Sequence, residues 1–320
     1  MSAAAARRVA SVDCGTNSIR LLVADVADDG RLTDVVRRME IVRLGQDIDR
    51  TGVIAPEAMR RTLAATRDYA EQCRALGAER VRFVATSASR DARNAAAFVD
   101  AVHVTFHEVG LDVAVEVVAG DVEARLSFVG ATADVQSLGV AGPYVVVDIG
   151  GGSTELVRGT TDVVAERSVD VGSVRMTERH LRSDPPLEVE VEGARRDISA
   201  ALDTVEQGVD LTGLGAVVGV AGTITTVTAH VLRLPAYDSN AVHLARRPAA
   251  EHFAACRELL AMSRGQRSAL PYVHPGRVDV IGAGALVWSE VLARALDRSP
   301  GAEVVTSERD ILDGIALSVA

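Results

Sequence analysis

Apolar residues in the first half of the chain come in short runs that are typical of β-strands. A glycine-containing polar segment separates the first two runs, so residues 9–26 are predicted to form a β-hairpin. Residues 28–30 have the composition of a turn, and residues 32–44 resemble a further strand. The elements predicted next are a helix over 56–76, a strand over 81–86, a helix over 94–107 that Asn94 caps, a strand over 113–117 and a helix that Asp121 caps.

The second half repeats this order of elements. Residues 145–157 predict another hairpin and residues 163–171 a third strand. The later elements are helices over 176–181 and 189–209, a strand over 216–220, a helix opening at Gly222-Thr223, helices over 248–262 and 278–296, a short strand at 304–305 and a last helix after Ser307-x-x-Asp310. Strands that alternate with helices indicate an α/β fold of layered sheets and helices.

Small residues collect between Phe128 and Gly142, which indicates a boundary between two domains. We predict domain I over 1–127 and domain II over 128–302. The apolar chain end is predicted to pack back on domain I, so the segment from about 303–320 completes that domain.

The composition narrows the class of protein. The 320 residues are 48% hydrophobic but only 3% aromatic, so the core must consist mainly of Val, Ala and Leu. A net charge of −10 argues against a nucleic-acid binder that works by charge alone, although a local arginine cluster can still bind a polyanion. Three scattered cysteines without a C-x-x-C pattern argue against a disulfide framework and a zinc site, and we interpret Cys14 as a small residue in a tight turn.

Neither a leader nor a membrane span is predicted from the sequence. The alanine-rich start has its two arginines after the alanines and lacks a sufficient apolar region. The longest uncharged stretch, 211–232, is interrupted by glycines, threonines and a histidine, which favours a strand, a turn and a helix. We therefore expect a cytoplasmic protein without membrane or nucleic-acid partners.

The same short pattern occurs in both predicted hairpins. Asp13 closes an apolar run and is followed by Gly15 and the hydroxyls of Thr16 and Ser18, while Asp148 is followed by three glycines, Ser153 and Thr154. Such a loop can offer backbone N–H groups and hydroxyls to a phosphate, and its aspartate can hold a cation. Two copies suggest two related half-molecules that face each other across a phosphate.

Other polar residues near predicted strand ends could take part in chemistry. Glu155 follows the second loop and could hold Mg²⁺ or water, and Glu123 lies where a carboxylate could take a proton from water. Arg90 and Arg93 could meet phosphate oxygens with a planar fork. The sequence has no H-E-x-x-H, G-x-S-x-G or G-x-x-x-x-G-K-[ST] motif, which argues against a zinc protease, a serine hydrolase and a P-loop NTPase.

Taken together, these motifs resemble those of the exopolyphosphatase/guanosine pentaphosphate phosphohydrolase family, within the actin-like ATPase and sugar-kinase superfamily. The resemblance runs over nearly the whole chain and is carried by residues 12–20, 85–90 with Asn94, 123–126, 147–156, 222–223, His243, 277–281 and Gly284. It implies an α/β fold of two actin-like (ribonuclease H-like) domains, each a mixed β-sheet flanked by helices, with an interdomain cleft.

The resemblance also implies roles for individual residues. Glu123 matches the catalytic base, and Glu155 matches a second catalytic acid that serves metal or water. Asp13 and Asp148 match aspartates that hold Mg²⁺ (or Mn²⁺). The residues that match substrate-binding positions are Asn17, Ser18, Arg20, Arg90, Gly150, Gly151, Gly152, Ser153 and Thr154.

The implied activity is release of the terminal phosphate of inorganic polyphosphate by Mg²⁺-assisted attack of water. Longer family members carry a C-terminal helical extension with a basic channel and dimer contacts, and this chain ends before it. We therefore expect better activity on short polyphosphates, and a homodimer as one possible assembly.

Three alternatives stay open from the sequence. Guanosine pentaphosphate also ends in an anhydride-linked phosphate, and the loops do not distinguish it from polyphosphate. A kinase of the same superfamily would need an adenine pocket and an acceptor base. A non-catalytic sensor of polyphosphate or of an alarmone is the third, against which the presence of Glu123 and Glu155 speaks.

Overall fold

The computed structural model describes residues 6–28 and 30–319, without the side chains of Ala133 and Ser137. Asp29, in the predicted turn, lies outside the described residues. The chain divides into two compact units. Unit 1 runs to Leu126 and includes the chain again from Ile311, and unit 2 is Ser127–Asp310.

Unit 1 contains a mixed five-stranded sheet. Its strands are β1 (Arg7–Cys14), β2 (Ser18–Val26), β3 (Leu32–Ile41), β4 (Arg80–Ala85) and β5 (Ala114–Val117). Their spatial order is β3-β2-β1-β4-β5, with antiparallel pairing in the β1–β2–β3 meander and parallel pairing from β1 to β4 and from β4 to β5. The predicted first hairpin and third strand are confirmed, and β3 ends three residues earlier than the apolar pattern indicated.

The helices of unit 1 lie between and after its strands, and the sequence marks both ends of one of them, which begins at Pro56. They are α1 (Ile48–Thr51), α2 (Pro56–Ala75), α3 (Ser87–Asp91), α4 (Ala95–Glu108), α5 (Gly120–Ser137), which continues into unit 2, and α13 (Ile311–Ser318). Pro56 occupies the first position of α2, and Gly77 follows the helix with a φ of 71°. The predicted cap Asn94 does precede α4, but its side chain does not cap the helix. Instead it bonds the backbone N–H and C=O of Ile54 at 2.8 and 3.0 Å.

Unit 2 contains a six-stranded sheet whose central order repeats that of unit 1. Its strands are β6 (Tyr144–Ile149), β7 (Thr154–Gly159), β8 (Val163–Val169), β9 (Ala216–Val220), β10 (Ala245–Arg246) and β11 (Glu303–Thr306). Their order is β10-β11-β9-β6-β7-β8, with an antiparallel β6–β7–β8 meander and parallel pairing from β6 to β9 and from β9 to β11. Both units therefore combine a meander with parallel strands, which confirms the predicted α/β class with two mixed sheets flanked by helices.

The helices of unit 2 include several short ones that the sequence pattern did not predict. They are α6 (Ser173–Arg179), α7 (Glu188–Glu206), α8 (Ala221–Val231), α9 (Ser239–Val242), α10 (Ala249–Ala261), α11 (Arg264–Ser268) and α12 (Ile281–Arg298), with a 3₁₀ turn at Pro275–Arg277. The predicted helix over 278–296 begins only at Ile281 because this turn comes before it. None of the helices in the described part of the chain has the length and apolar character needed to cross a membrane.

Each sheet is covered by apolar residues from neighbouring helices. In unit 1, Tyr69 of α2 and Phe98 and Phe106 of α4 pack with the strands in one buried cluster. In unit 2, Trp288 of α12 lies in a larger cluster of aliphatic side chains. Burial of these apolar surfaces is the main stabilising contribution to each unit.

The last helix packs in unit 1. Leu312 and Ala316 of α13 contact apolar residues of β1 and β2, and Ile315 contacts Val84 of β4. The strand β11, at 303–306, pairs with β9 in the sheet of unit 2, so the return to unit 1 begins at Ile311 rather than near 303. The change of unit after Leu126 falls inside α5, so no loop marks it.

Candidate active-site residues

The first hairpin tip is a tight turn between β1 and β2. The N–H of Gly15 donates to the carbonyl of Ser18 at 2.9 Å. The carbonyls of Thr16 and Asn17 accept hydrogen bonds from the segment after β3, where Gly45 donates to Thr16 and Arg43 to Asn17, each at 2.9 Å. This segment fixes the direction in which the carbonyls of the tip point.

The second hairpin tip, between β6 and β7, has the same closing bond. The N–H of Gly150 donates to the carbonyl of Ser153 at 3.0 Å. The carbonyl of Gly150 accepts from Ser173, and the carbonyl of Gly151 accepts from Val174 and Arg175, at 2.8–3.1 Å. The start of α6 therefore holds the carbonyls of this tip.

The tips also carry N–H groups that take no part in these closing hydrogen bonds. No backbone carbonyl in the described part of the chain accepts a hydrogen bond from the N–H of Asn17, Gly151 or Gly152. Successive backbone N–H groups without backbone acceptors form a concave site for an anion. Each tip can therefore contribute N–H donors to a phosphate group.

A carboxylate and an arginine face each other across the first hairpin. Asp13 and Arg20 are directly opposite in the β1–β2 pairing. The Nε and Nη2 groups of Arg20 donate to Oδ2 of Asp13 at 2.9 and 2.6 Å. Cys14, beside Asp13, is buried, and burial raises the pKa of its thiol, which fits its interpretation as a packing residue.

Glu123 lies in the first turn of α5 and is 8% exposed. Nη1 of Arg90 donates to its Oε2 at 2.5 Å and to the carbonyl of Val118 at 3.0 Å. Burial raises the pKa of Glu123 to about 6, with the charge of Asp13 adding to the rise, while Arg90 and a hydrogen bond from Thr86 oppose it. A carboxylate with this pKa is mostly ionised at neutral pH and is more basic than an exposed glutamate, which suits a general base.

Two carboxylates of unit 2 are held by serines. Asp148 and Glu155 are opposite each other in the β6–β7 pairing, and both are buried. The hydroxyl of Ser127 donates to Oδ2 of Asp148, and that of Ser168 donates to Oε1 of Glu155 at 2.7 Å. These bonds restrict the rotamers of both carboxylates.

The two hairpins are equivalent in register but not in charge. Asp13 faces Arg20 and Asp148 faces Glu155, and each pair occupies the same place beside its tip. The position that holds a cation in unit 1 therefore holds an anion in unit 2. The repeated loop motif made the aspartates comparable, whereas this exchange of charge emerges only from the pairing register.

The structure brings together within unit 1 the predicted residues Asp13, Arg20, Arg90 and Glu123, and within unit 2 the predicted residues Asp148, Glu155 and the glycine tip. Thr154, a predicted substrate-binding residue, is fully buried, and its hydroxyl donates to the carbonyl of Val171 at 2.5 Å. Sequence reasoning missed Ser127 and Ser168. Ser168 has no motif around it, and its opposition to Glu155 depends on the β7–β8 register.

Asp13 and Asp148 could each supply one ligand to a magnesium ion whose other ligands are water and phosphate. No group of three or more His, Cys, Asp or Glu side chains that could hold a metal occurs among residues 6–28 and 30–319. Mg²⁺ commonly keeps several waters and is bound through one or two carboxylates plus substrate phosphates. The carboxylate oxygens of Asp13 and Asp148 suit that mode, whereas an all-protein cage is not formed by the described residues.

Comparisons with known proteins agree with the geometry. A model of the Ppx/GppA phosphatase family matches residues 22–318. Exopolyphosphatase 2 of Mycobacterium tuberculosis is 50% identical over 317 residues, which cover 98% of each chain. A crystal structure described as an exopolyphosphatase-like protein is 42% identical, with a TM-score of 0.94 over 99% of this chain and 98% of that one. The Ppx/GppA family member of Aquifex aeolicus is 30% identical, with a TM-score of 0.78 over 98% of this chain and 97% of that one.

Proposed function

Because the chain belongs to the Ppx/GppA phosphatase family, we propose that it is an exopolyphosphatase that hydrolyses the terminal phosphate of inorganic polyphosphate, with a preference for short chains. The observation that carries this proposal is Glu123, a buried carboxylate whose pKa is raised to about 6 and whose Oε2 is held by Arg90. The relative named Exopolyphosphatase 2, which is similar over almost the whole length, supports the choice of substrate.

In the proposed reaction, Glu123 takes a proton from a water molecule as its oxygen attacks the terminal phosphorus. The bond between that phosphorus and the bridging oxygen breaks, and the shortened polyphosphate leaves with the bridging oxygen. A raised pKa makes Glu123 a stronger acceptor for the proton than an exposed glutamate. Hydrogen bonds from Arg90 and Thr86 hold the carboxylate of Glu123 in place.

Negative charge on the transferred phosphoryl group must be stabilised by fixed donors. We propose that Arg90, Arg20 and the N–H of Asn17 are such donors in unit 1, and that the N–H groups of Gly151 and Gly152 are phosphate donors in unit 2. Asn17, Ser18 and Ser153 add polar side chains at the two hairpin tips. Among the predicted binding residues, Thr154 acts indirectly, because its hydroxyl already holds the carbonyl of Val171.

We propose Mg²⁺ (or Mn²⁺) as the cofactor, held by Asp13 or Asp148. When bound, the ion would neutralise charge on the phosphate oxygens. Glu155, fixed by Ser168, would orient water near that ion. A cytoplasmic location and a homodimer are further parts of the proposal, which cell fractionation and light scattering of the purified protein can test.

The deciding test replaces Glu123 by glutamine. Phosphate release from inorganic tripolyphosphate, from long-chain polyphosphate and from guanosine pentaphosphate is measured with Mg²⁺ and with a chelator. We expect the tripolyphosphate to be the best substrate, and Glu123→Gln to lose roughly 10²- to 10⁴-fold in kcat while it still binds tripolyphosphate.

The matched control is Asp25→Asn, because Asp25 also pairs with an arginine of unit 1, Arg8, at 2.8 Å but lies at the end of the β1–β2 hairpin opposite to the tip. Its kcat should stay within about twofold of the wild type. Unchanged turnover in Glu123→Gln would refute the assigned base. Phosphate release only from guanosine pentaphosphate would replace polyphosphate as the substrate.

A further inference from the structure

Two histidines lie one turn apart on the exposed side of α4, a helix that the proposed reaction does not use. They are His103 and His107, and both are exposed. The side of α4 that faces the core consists of Phe98, Val102, Thr105 and Phe106. Residues four apart in a helix differ in direction by only about 40°, and their Cβ atoms are about 5–6 Å apart. The two imidazole rings therefore project from one face of the helix.

Neither of these imidazoles has a partner within the described part of the chain. The ring nitrogens of His103 and His107 take part in no hydrogen bond or ion pair there. Each of the other five histidines uses a ring nitrogen in a hydrogen bond with the protein; they are His180, His230, His243, His252 and His274. A neutral imidazole has one nitrogen that accepts, so the pair offers two lone pairs to a ligand from solvent.

The charges on this face favour a cation. Asp100 is exposed three residues before His103, and three residues in a helix bring side chains to the same side. His107 lies in the last turn of α4, where the helix dipole is favourable to positive charge. A positive ion between the two rings would therefore gain from both the carboxylate and the end of the helix.

The arginines of the neighbouring helix reach a different flank of α4. Arg67 of α2 pairs with Glu108, and Arg74 donates to the carbonyl of Val109. Glu108 is one residue after His107, which places it about 100° around the helix. The contact with α2 therefore leaves the face of the two histidines exposed.

The spacing of the two histidines is that of known zinc ligands. In the H-E-x-x-H motif, two histidines four residues apart on one helix face bind Zn²⁺ and the glutamate acts as a base. Here Val104 takes the place of that glutamate, so the pair has the ligands without the hydrolytic group. Imidazole nitrogen suits Zn²⁺, Ni²⁺ and Cu²⁺, whereas Mg²⁺ prefers oxygen.

We propose that His103 and His107 bind one divalent transition metal ion of this class, each through one ring nitrogen. No group of three or more metal-binding side chains is found among the described residues, so water fills the remaining positions. Helix α4 connects the end of β4 to the start of β5, two parallel strands, so its last turns lie toward the end of the sheet opposite the first hairpin tip. The inference extends beyond the proposed function and needs neither polyphosphate nor Mg²⁺.

The test titrates Ni²⁺ and Zn²⁺ into the untagged full chain by calorimetry, with excess Mg²⁺ to occupy carboxylate sites. We expect a site that is weakened at least about tenfold by His103→Gln and by His107→Gln, because loss of even an outer-shell partner typically costs that much. Ni²⁺ should also raise the thermal midpoint of the wild type more than that of either variant, since only the folded helix holds both rings together. The electron paramagnetic resonance spectrum of the Cu²⁺-loaded wild type should show coupling to two imidazole nitrogens.

The matched control is His274→Gln, because His274 is exposed but has no second histidine one turn away. Its Nδ1 accepts from the N–H of Gly276 at 3.1 Å. Affinity for Ni²⁺ should stay within about twofold of the wild type in this variant. Phosphate release from tripolyphosphate with Mg²⁺ should also stay within about twofold of the wild type in all three variants.

Equal affinities for Ni²⁺ and Zn²⁺ in the wild type, His103→Gln and His107→Gln would overturn the site. A loss in only one variant would overturn the pair, because a chelate needs both rings. Retention of the untagged wild type on a nickel-loaded resin needs no variant, and failure to be retained would also refute the proposal. Each of these results leaves the exopolyphosphatase proposal standing, since that proposal is decided by phosphate release with Mg²⁺.

Discussion

At the scale of single residues, the proposed role of Glu123 as the base links the pH dependence of the reaction to the protonation of its carboxylate. Burial raises its pKa to about 6, and the base must be ionised to accept a proton. We therefore expect kcat/KM for tripolyphosphate to fall as the pH drops below about 6, with a slope of one proton. Values of kcat/KM measured over about pH 4.5–8 at constant ionic strength cover the range in which Glu123 is expected to ionise.

Arg90 provides the check on that assignment. Its charge and hydrogen bond lower the pKa of Glu123 against the effect of burial. Arg90→Gln should therefore move the acidic limb to higher pH, in addition to lowering the rate. A limb that stays in place in Arg90→Gln would belong to another group, and Glu123 would no longer be the base.

Sequence reasoning found the acids of both units but not the serines that hold those of unit 2. Asp13 and Asp148 were found because each ends an apolar run before a glycine loop, a pattern that lies within a few residues. Ser168 is thirteen residues after Glu155 and meets it only because β7 and β8 pair in one register. Register depends on which face of the sheet is buried and on the loop between strands, and neither is encoded in a local motif.

At the scale of elements, the contact between Gly172 and the second tip tests whether α6 holds the loop in place. A Cβ at residue 172 would be 2.4 Å from the carbonyl oxygen of Gly151, so Gly172→Ala must displace the tip or the start of α6. We expect a loss of about 1–3 kcal/mol in the free energy of unfolding, as for other overpacked sites. Activity should fall as well, because the N–H groups of the tip are moved.

Gly301→Ala is the matched control, since a Cβ there has no neighbour within 4 Å. Chemical unfolding and phosphate release are measured for both variants. Gly301→Ala should lie within about 0.5 kcal/mol of the wild type. If Gly172→Ala behaved in the same way, α6 would not constrain the tip.

An ion pair between Asp313 and Arg37 links helix α13 to β3 of unit 1. Asp313 is fully buried, and its Oδ1 and Oδ2 accept from Nη2 and Nη1 of Arg37 on β3 at 2.5 and 3.2 Å. The side chain of Arg37 is 33% exposed and also pairs with Asp34 at 2.8 Å, so the arginine keeps one partner when Asp313 is replaced. Asp313→Asn should therefore cost about 1.5–3 kcal/mol of stability, the range for a lost hydrogen bond to a charged group. Urea unfolding measures the loss.

The exposed pair Arg60–Glu57 on α2 is the control for this prediction. Its side chains are 70% and 62% exposed, so Arg60→Gln should change stability by no more than about 0.5 kcal/mol. Equal effects of the two substitutions would show that the Arg37–Asp313 pair is not a special contact. The apolar face of α13 would then hold the helix by itself.

The elements themselves were predictable where the pattern was long. The apolar runs on either side of a glycine loop predicted the two hairpins. The 3.6-residue period, together with Pro56 and Gly77, predicted α2. Helices of four or five residues, such as α1 and α3, are too short to show a period. The side chain of Asn94 bonds Ile54, a contact across forty residues that a capping preference cannot anticipate.

At the scale of the whole molecule, the repeated loop motif indicated two related halves, and the sheets bear the same central order. The point where the chain passes between units was less predictable, because small residues after Phe128 suggested a loop, whereas α5 runs through to Ser137. Small residues are also compatible with a helix, and those that follow Phe128 lie in the second half of α5. The strand β11 likewise lies in unit 2 because its few residues complete that sheet.

Stability at acid pH is a property of the whole fold and depends on buried histidine. His252 is fully buried, its Nδ1 accepts from Nε1–H of Trp288 at 3.2 Å, and its Nε2 has no partner among the described residues. Burial lowers its pKa to about 4 from the usual 6.5, so between these values the unfolded chain binds the proton more strongly than the folded one. Stability from this group is complete above about pH 6.5 and is lost as the pH falls toward 4, by up to about 3 kcal/mol.

His252→Gln isolates this contribution, because its side-chain oxygen can still accept from Trp288 but does not titrate. The difference in unfolding free energy between variant and wild type should be constant above pH 6.5 and should shift in favour of the variant as the pH falls to 4. Glu123 has the opposite effect on stability over pH 4.5–6, because its raised pKa makes the folded state bind the proton more strongly. The comparison is therefore made as the difference in unfolding free energy between His252→Gln and the wild type, in which the contribution of Glu123 cancels. The control is His103→Gln, because His103 is exposed. If the difference in unfolding free energy between His252→Gln and the wild type did not vary with pH, His252 would bind its proton equally in the folded and unfolded chains.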